Sequence, residues 1–369
     1  MIRSFRDFCS QAYSKDEGMR RFAGAAMALV LIVGLTGCSG KHTLFGQQEE
    51  TVKSMKIGVS VYDQYDTFIS SMLEYMNVYV KEKEKQENIK ITMEVVNAGH
   101  SQLTQNDQVE EFLNDGYDVV CVNLVDRTDA STIIEKAKNT DTPVIFFNRE
   151  LVEEDLERWD KLYYVGAEAF ESGIMQGNLV VECCRERMDE IDKNGDGRLQ
   201  YVILEGEAGH QDSLVRTEYA IKTVTDSKIQ VERLADEIAN WNRAQAMTKT
   251  AQWLNSFGEE IEVIFANNDD MALGAIDALK EDGPQQWPVV VGIDGTDVAL
   301  EAVRKQELYG TVLNDARGQS EGIIELAWSL CTNHPLSEKF ALQDGKYIRL
   351  PYEPVTYQNL EEIEMKKQI

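Results

Sequence analysis

From residue 54 onward the chain alternates between two hydrophobic periods. Short β-branched runs recur at KIGVSVY (56–62), IKITMEVVNA (89–98), VVCVNL (119–124), VIFF (144–147) and LYYVG (162–166). The series continues with QYVILEGE (200–207), QVERLAD (230–236), VIFANN (263–268), VVVGIDG (289–295) and GTVLND (310–315). Between most of them lie amphipathic stretches of helical period, such as TFISSMLEYMNVYVKEKEKQ and QVEEFLNDG. Strand–helix alternation predicts an α/β fold with parallel sheets. About ten strands exceed what one small open sheet holds, so two doubly wound parallel-sheet lobes are expected.

Ahead of this region the pattern changes. Residues 22–37, FAGAAMALVLIVGLTG, are uncharged and mostly apolar, and Arg20 and Arg21 precede them. Such a stretch is short for a bilayer span, which needs roughly 20 residues, and fits the apolar region of an export signal. Leu35-Thr36-Gly37-Cys38 at its end resembles a bacterial lipobox. That resemblance implies a lipoprotein signal over 1–37, diacylation of Cys38 and a polar tether over 38–54. Two acyl chains would hold a soluble domain at the outer face of the cell membrane. Met19-Arg20-Arg21 would itself open a conventional signal, which places the expected translation start at Met19; an intact precursor mass matching Met1 would refute it.

Charge narrows the partners. There are 64 Asp and Glu against 37 Lys and Arg, a formal net charge of −27. Such a surface repels phosphates, which excludes wrapping of nucleic acid. Removing residues 1–37, with their excess of basic groups, leaves a mature chain near −29. Six cysteines in 369 residues are too sparse for a disulfide scaffold. Cys121, Cys183, Cys184 and Cys331 read as core or near-surface thiols.

In open α/β sheets ligands sit beyond the carboxyl ends of the strands. Those ends carry Asp63, Asp66 and Phe68, then Asn148, then His210, Asp212 and Arg216. Trp241, Asn268, Asp269, Asp294, Asn314 and Asp315 follow. Carboxylates, amides, one imidazole, one guanidinium and two aromatic rings suit a polyhydroxylated ligand, whose hydroxyls donate and accept while its C–H faces stack.

The strings Ile57-Gly58-Val59, Tyr65-Asp66-Thr67-Phe68, QNDQVE (105–110), NLVD (123–126), PVIFFN (143–148) and YYVG (163–166) carry a resemblance. It extends through GHQDSLVRT (209–217), ANND (266–269), GID (292–294) and GTVLNDA (310–316). Over nearly all of 55–357 the chain resembles the ribose-type, type I periplasmic binding proteins, most closely their galactose/glucose-binding branch. The resemblance implies two lobes joined by a three-segment hinge, with crossings near 166–168, 315–317 and 347–351. The N-terminal lobe would comprise 55–166 with 316–347, and the C-terminal lobe 167–315 with 348–369. Phe68 and Trp241 would be the stacking pair. Asp66, Asn148, His210, Asp212, Arg216, Asn268, Asp294 and Asn314 would be the polar contacts, Asp66 serving the sugar's 4-hydroxyl. The implied partners are D-galactose or D-glucose, an ABC transporter permease and a methyl-accepting chemoreceptor, with the protein itself a monomer.

Residues 192–200, DKNGDGRLQ, place oxygen ligands at the first positions of a calcium loop: Asp192, Asn194 and Asp196, with Gly197 for the sharp turn. Arg198 offers its carbonyl and Gln200 the ninth position. Position 12 is Ile203, inside a strand candidate, so this is no helix–loop–helix hand. The resemblance implies that Glu262 completes a structural Ca²⁺ site. Hard oxygen ligands favour Ca²⁺ over Zn²⁺.

Two arrangements would suit an enzyme: Asp66, Asp212 and Asp294 as glycosidase carboxylates, and His210 with Asp212 as base and orienter. GxSxG, P-loop and HExxH motifs are all missing from the sequence, and no enzyme is expected. A repressor of the same fold would need a basic DNA-binding headpiece where the apolar segment stands. A receptor for another hexose or pentose, used only for sensing, is the alternative to transport.

Overall fold

The computed structural model describes residues 54–282 and 284–368. The signal, Cys38 and the tether lie outside the described residues. The N-terminal lobe starts with β1 (Ser54–Val61), α1 (Thr67–Glu87), β2 (Lys90–Asn97), α2 (Gln102–Asn114), β3 (Val119–Val122) and α3 (Ser131–Thr140). It continues with β4 (Val144–Phe147), the one-turn α4 (Glu153–Leu156) and β5 (Leu162–Gly166). The C-terminal lobe opens with α5 (Ala169–Ile191), β6 (Arg198–Glu205), α6 (Gln211–Asp226), β7 (Gln230–Ile238) and α7 (Arg243–Phe257). It proceeds through β8 (Val263–Ala266), α8 (Asp269–Asp282), β9 (Val289–Val291), α9 (Asp297–Arg304) and β10 (Gly310–Leu313). The chain then returns with α10 (Ala316–Thr332), β11 (Tyr347–Arg349), β12 (Glu353–Thr356) and α11 (Leu360–Gln368).

The strands form two six-stranded sheets, ordered β11-β5-β4-β3-β1-β2 and β12-β10-β9-β8-β6-β7. Every pairing is parallel except β10 with β12. Central strands such as VVCV of β3, VIFF of β4 and VIFA of β8 are buried at every position, because helices cover both faces. The edge strand β2 alternates instead between exposed and less exposed positions. In the first lobe, α1 and α10 cover one face, with Met72, Met76, Ile323, Ile324 and Trp328 packed on β1 and β3. In the second, Val180, Cys183, Cys184, Ala220 and Val224 of α5 and α6 pack on Ile203 and Phe265.

All ten strand candidates form, several with ends shifted by a few residues, and β11 and β12 join them. The chain crosses between lobes three times: from β5 to α5, from β10 to α10 and from β11 to β12. β11 pairs with β5 over Tyr347–Arg349, so the last crossing lies at 350–352 and the expected lobe boundary after 347 moves by a few residues. Leu350 belongs to the first lobe's core. Among the described residues no helix is long and apolar enough to cross a membrane, and the four cysteines there are free thiols.

Candidate functional site

The carboxyl ends of the strands in both sheets converge on one cavity between the lobes. Tyr62, Asp66, Phe68, Asn148 and Arg149 line it from the first lobe. His210, Asp212, Arg216, Trp241, Asn268 and Asp294 line it from the second. Its free space is about 30 Å³, room for little more than water.

On the first lobe, Asp66 precedes α1 and caps it: its Oδ1 accepts the Ile69 amide at 2.9 Å. Its Oδ2 accepts the Tyr62 hydroxyl at 2.6 Å, which leaves this carboxylate partly satisfied by its own lobe. Asn148 sits directly after β4 in the left-handed region, with φ of 60°. Asn123 donates to its Oδ1 at 3.1 Å and Tyr164 to its carbonyl at 2.9 Å, so its orientation is fixed by buried partners.

The second lobe is organised around Arg216, buried on the first turns of α6. Its Nη1 donates to the Asn267 carbonyl at 2.9 Å and its Nη2 to Asp212 Oδ2 at 3.1 Å. Nη1 also lies 3.9 Å from Asp294 Oδ1, while Nε is buried without a partner. Burial alone would favour loss of the guanidinium proton, but Tyr352, Asp212 and Asp294 outweigh it and hold the charge. Burial pushes the Asp212 carboxyl up and that of Asp294 well up, with Arg216 opposing both. Beneath them Asp269 accepts the Thr311 hydroxyl at 2.6 Å and the Thr296 amide at 2.8 Å, and burial raises its carboxyl to about 7.

His210 caps α6, its Nδ1 accepting the Asp212 amide at 3.1 Å. That bond assigns the proton to Nε2, and burial together with Arg149, Arg216 and Arg127 holds the ring neutral. The ring meets Trp241 edge-on, with centroids 5.1 Å apart. Trp241 itself has φ of 59°, and a Cβ at Gly206 would come within 2.1 Å of its indole, so only glycine admits this placement. Asn268 caps the following turn through the Met271 amide at 3.0 Å.

Nine of the ten residues expected to meet the ligand therefore line a single cavity. Asn314 lies beside it: its amide donates to the Asp294 carbonyl at 3.1 Å, its Oδ1 accepts Gln319 Nε2 at 2.6 Å, and it lines an adjoining groove of about 920 Å³ that also touches Phe68 and Asp294. Tyr62 and Arg149 were not anticipated. Arg149 follows β4 just as Asn148 does, so the strand-end rule that selected Asn148 applied equally to its neighbour.

The 192–200 loop is held by its own side chains. Asp192 accepts the amides of Gly195 and Gly197 at 2.8 Å, and Asp196 accepts that of Arg198 at 2.8 Å. Glu262, 1% exposed, reaches in from the residue just before β8, accepting the Lys193 amide at 2.7 Å and the Gln200 amide at 2.9 Å. Gln200 is 4% exposed; its Nε2 donates to Asp196 at 2.9 Å while its Oε1 is buried with no partner. Among the described residues no three His, Cys, Asp or Glu side chains converge as a metal cluster.

The profile of the family described as periplasmic binding protein domain matches residues 57–335. The D-galactose/methyl-galactoside binding periplasmic protein MglB of Haemophilus influenzae is 38% identical over 308 residues, covering 83% of this chain and 90% of that protein. The xylitol-binding protein of Mycolicibacterium smegmatis is 31% identical over 310 residues, covering 84% and 78%. Among solved structures, an ABC transporter solute binding protein from Bacillus halodurans with bound myo-inositol superposes with a TM-score of 0.72 at 29% identity, covering 86% and 99%. The chain belongs to the periplasmic binding protein domain family, among the exported type I sugar-binding proteins of ABC transporters, which capture a solute and catalyse no reaction on it.

Proposed function

We propose that this protein captures a neutral aldohexose, D-galactose or D-glucose, by closing its lobes and delivers it to an ABC permease. The observation that carries the reading is the pairing of two unlike faces around one cavity. Phe68 and Asp66 come from one lobe, and Trp241, His210 and the Arg216–Asp212–Asp294 cluster from the other. Aromatic faces stack on sugar C–H bonds, while carboxyl groups and a fixed guanidinium fork take vicinal hydroxyls. The similarity to the galactoside-binding protein of Haemophilus influenzae supports the hexose. A second reading is a polyol or cyclitol, because a xylitol-binding protein and a myo-inositol complex are also similar. Calorimetry of residues 54–369 against D-galactose, D-glucose, D-ribose, xylitol and myo-inositol decides between them. Tightest binding to xylitol or myo-inositol would replace the hexose reading.

The same proposal extends to three features. The 192–200 loop with Glu262 holds a structural Ca²⁺: Asp192, Asn194, Asp196, the Arg198 carbonyl, Gln200 and Glu262 would be its ligands. The buried, unpartnered Gln200 Oε1 supports a cation there. Chelation should lower the melting temperature, and Ca²⁺ should restore it; an unchanged melt would refute the site. Cys38 anchors the chain as a diacylated lipoprotein, which Cys38→Ser should release from the membrane fraction. A chemoreceptor reads the closed form in addition to the permease, a role that a taxis assay of a deletion strain tests.

A further inference from the structure

Arg149 occupies a position the sugar-binding reading does not explain. It is 5% exposed, lines the cavity, and reaches across its mouth. Within its own lobe it is anchored twice. Nη1 donates to the Val125 carbonyl at 3.0 Å, and the guanidinium lies over the Tyr62 ring, 3.5 Å from its centroid. Its Nη2 leaves the lobe and donates to Glu207 Oε2, 2.6 Å away in the loop after β6. Glu207 is half-buried, and its other oxygen faces His100 Nδ1 of the first lobe at 4.0 Å. His100 in turn meets Asp63 at 3.2 Å and the edge of the Tyr62 ring at 5.3 Å.

The two sets of contacts respond differently to lobe motion. Val125 and Tyr62 move with Arg149, whereas Glu207 moves with the other lobe, so the ion pair exists only when the lobes are together. A contact made in one of two states shifts the population by its full strength. Tyr62 also donates to Asp66, which links the pair to a carboxylate of the sugar cavity through one shared ring.

We propose that Arg149 is a positioning residue for ligand retention: its ion pair with Glu207 straps the lobes closed, and Tyr62 ties that strap to Asp66. The pair is shielded on the Arg149 side and open to solvent on the Glu207 side, so it is both effective and sensitive to salt. The proposal rests on the sugar reading of the cavity but concerns a contact outside the expected ligand set.

The test uses Glu207→Gln, Arg149→Lys, Arg149→Gln and the double variant Arg149→Gln/Glu207→Gln. Dissociation of D-galactose is followed by stopped-flow fluorescence at low salt and at about 0.5 M NaCl, where the Debye length is only a few Å. Glu207→Gln should release the sugar about five times faster at low salt, with the difference shrinking at high salt. Arg149→Lys should retain part of the effect, and the double variant should lose less than the two single losses combined. The melting temperature of sugar-free Glu207→Gln should match that of the parent, because a strap that acts on closure is no part of either core. An unchanged release rate, or losses that simply add, would overturn the proposal. If D-galactose gives no binding to the parent protein, the hexose reading fails by itself. Small-angle scattering of the sugar-free forms then decides the strap, which is overturned if Glu207→Gln is no more open than the parent at low salt.

Discussion

The two lobes repeat one sheet order. Reading β2-β1-β3-β4-β5-β11 beside β7-β6-β8-β9-β10-β12, each strand of one has its counterpart in the other, down to an edge strand taken from either side of the last crossing. Their cleft faces differ. The first lobe offers polar groups already committed to local structure, with Asp66 capping α1 and Asn148 held by Asn123. The second offers a buried ionic cluster in which Arg216 binds Asp212 and approaches Asp294. The same scaffold thus yields one face that is rigid through its caps and another that is rigid through charge pairing. On the proposed sugar reading, the ligand's hydroxyl pattern would be read chiefly against the charged face, and the other face would complete the enclosure.

The sharpest way to break that comparison is to remove the central charge of each side. Arg216→Gln leaves Asp212 and Asp294 buried without their cation, and sugar affinity should fall by about 3–5 kcal/mol. Asp66→Asn preserves the helix cap, since Asn caps as well as Asp, and should cost less, about 1–3 kcal/mol. Equal losses by calorimetry would erase the proposed asymmetry. The aromatic pair gives the next effect. Trp241→Ala should weaken binding by about 1–3 kcal/mol through lost stacking and burial, and Phe68→Ala by somewhat less because its ring is smaller. Phe68 as the dominant partner would reverse the assignment of the reading face.

Acidity provides the smallest effect. Burial raises the carboxyls of Asp212 and Asp294 despite Arg216, so both take up protons above the range in which exposed aspartates titrate, near 3.9. Binding should therefore weaken as pH falls, beginning above that range. His210 is pushed the other way by burial and three arginines and should add no step of its own near 6.5. A titration step there that His210→Asn abolishes would show that the ring is charged in the cleft, against its assigned role as a neutral Nε2–H donor.

Much of this was legible in the sequence because a parallel sheet writes itself as buried runs such as VIFF and VIFA, and because polar residues just beyond several of those runs face the cleft between the lobes. β11 and β12 escaped notice: they span three and four residues, and Pro351 and Pro354 flank or interrupt them. Their pairing is set by the return of the chain and leaves no periodic trace. Tyr62 was read as the end of a strand, and only the folded geometry shows its hydroxyl on Asp66 and its ring beneath Arg149. The Arg149–Glu207 pair spans 58 residues and two lobes, a contact that no local pattern encodes.

The late return of the chain also bears on how the protein is made. One face of the first lobe is sealed by Ile323, Ile324, Ala327 and Trp328 of α10, by Phe340 and by Ile348, residues that leave the ribosome only after the whole second sheet except β12. Until they arrive, that face carries only α1, and the sheet lacks its edge strand β11. A chain passed through a secretion channel N-terminus first receives the last parts of its first lobe late, after most of the second. Its first lobe can be completed only when translocation is nearly over.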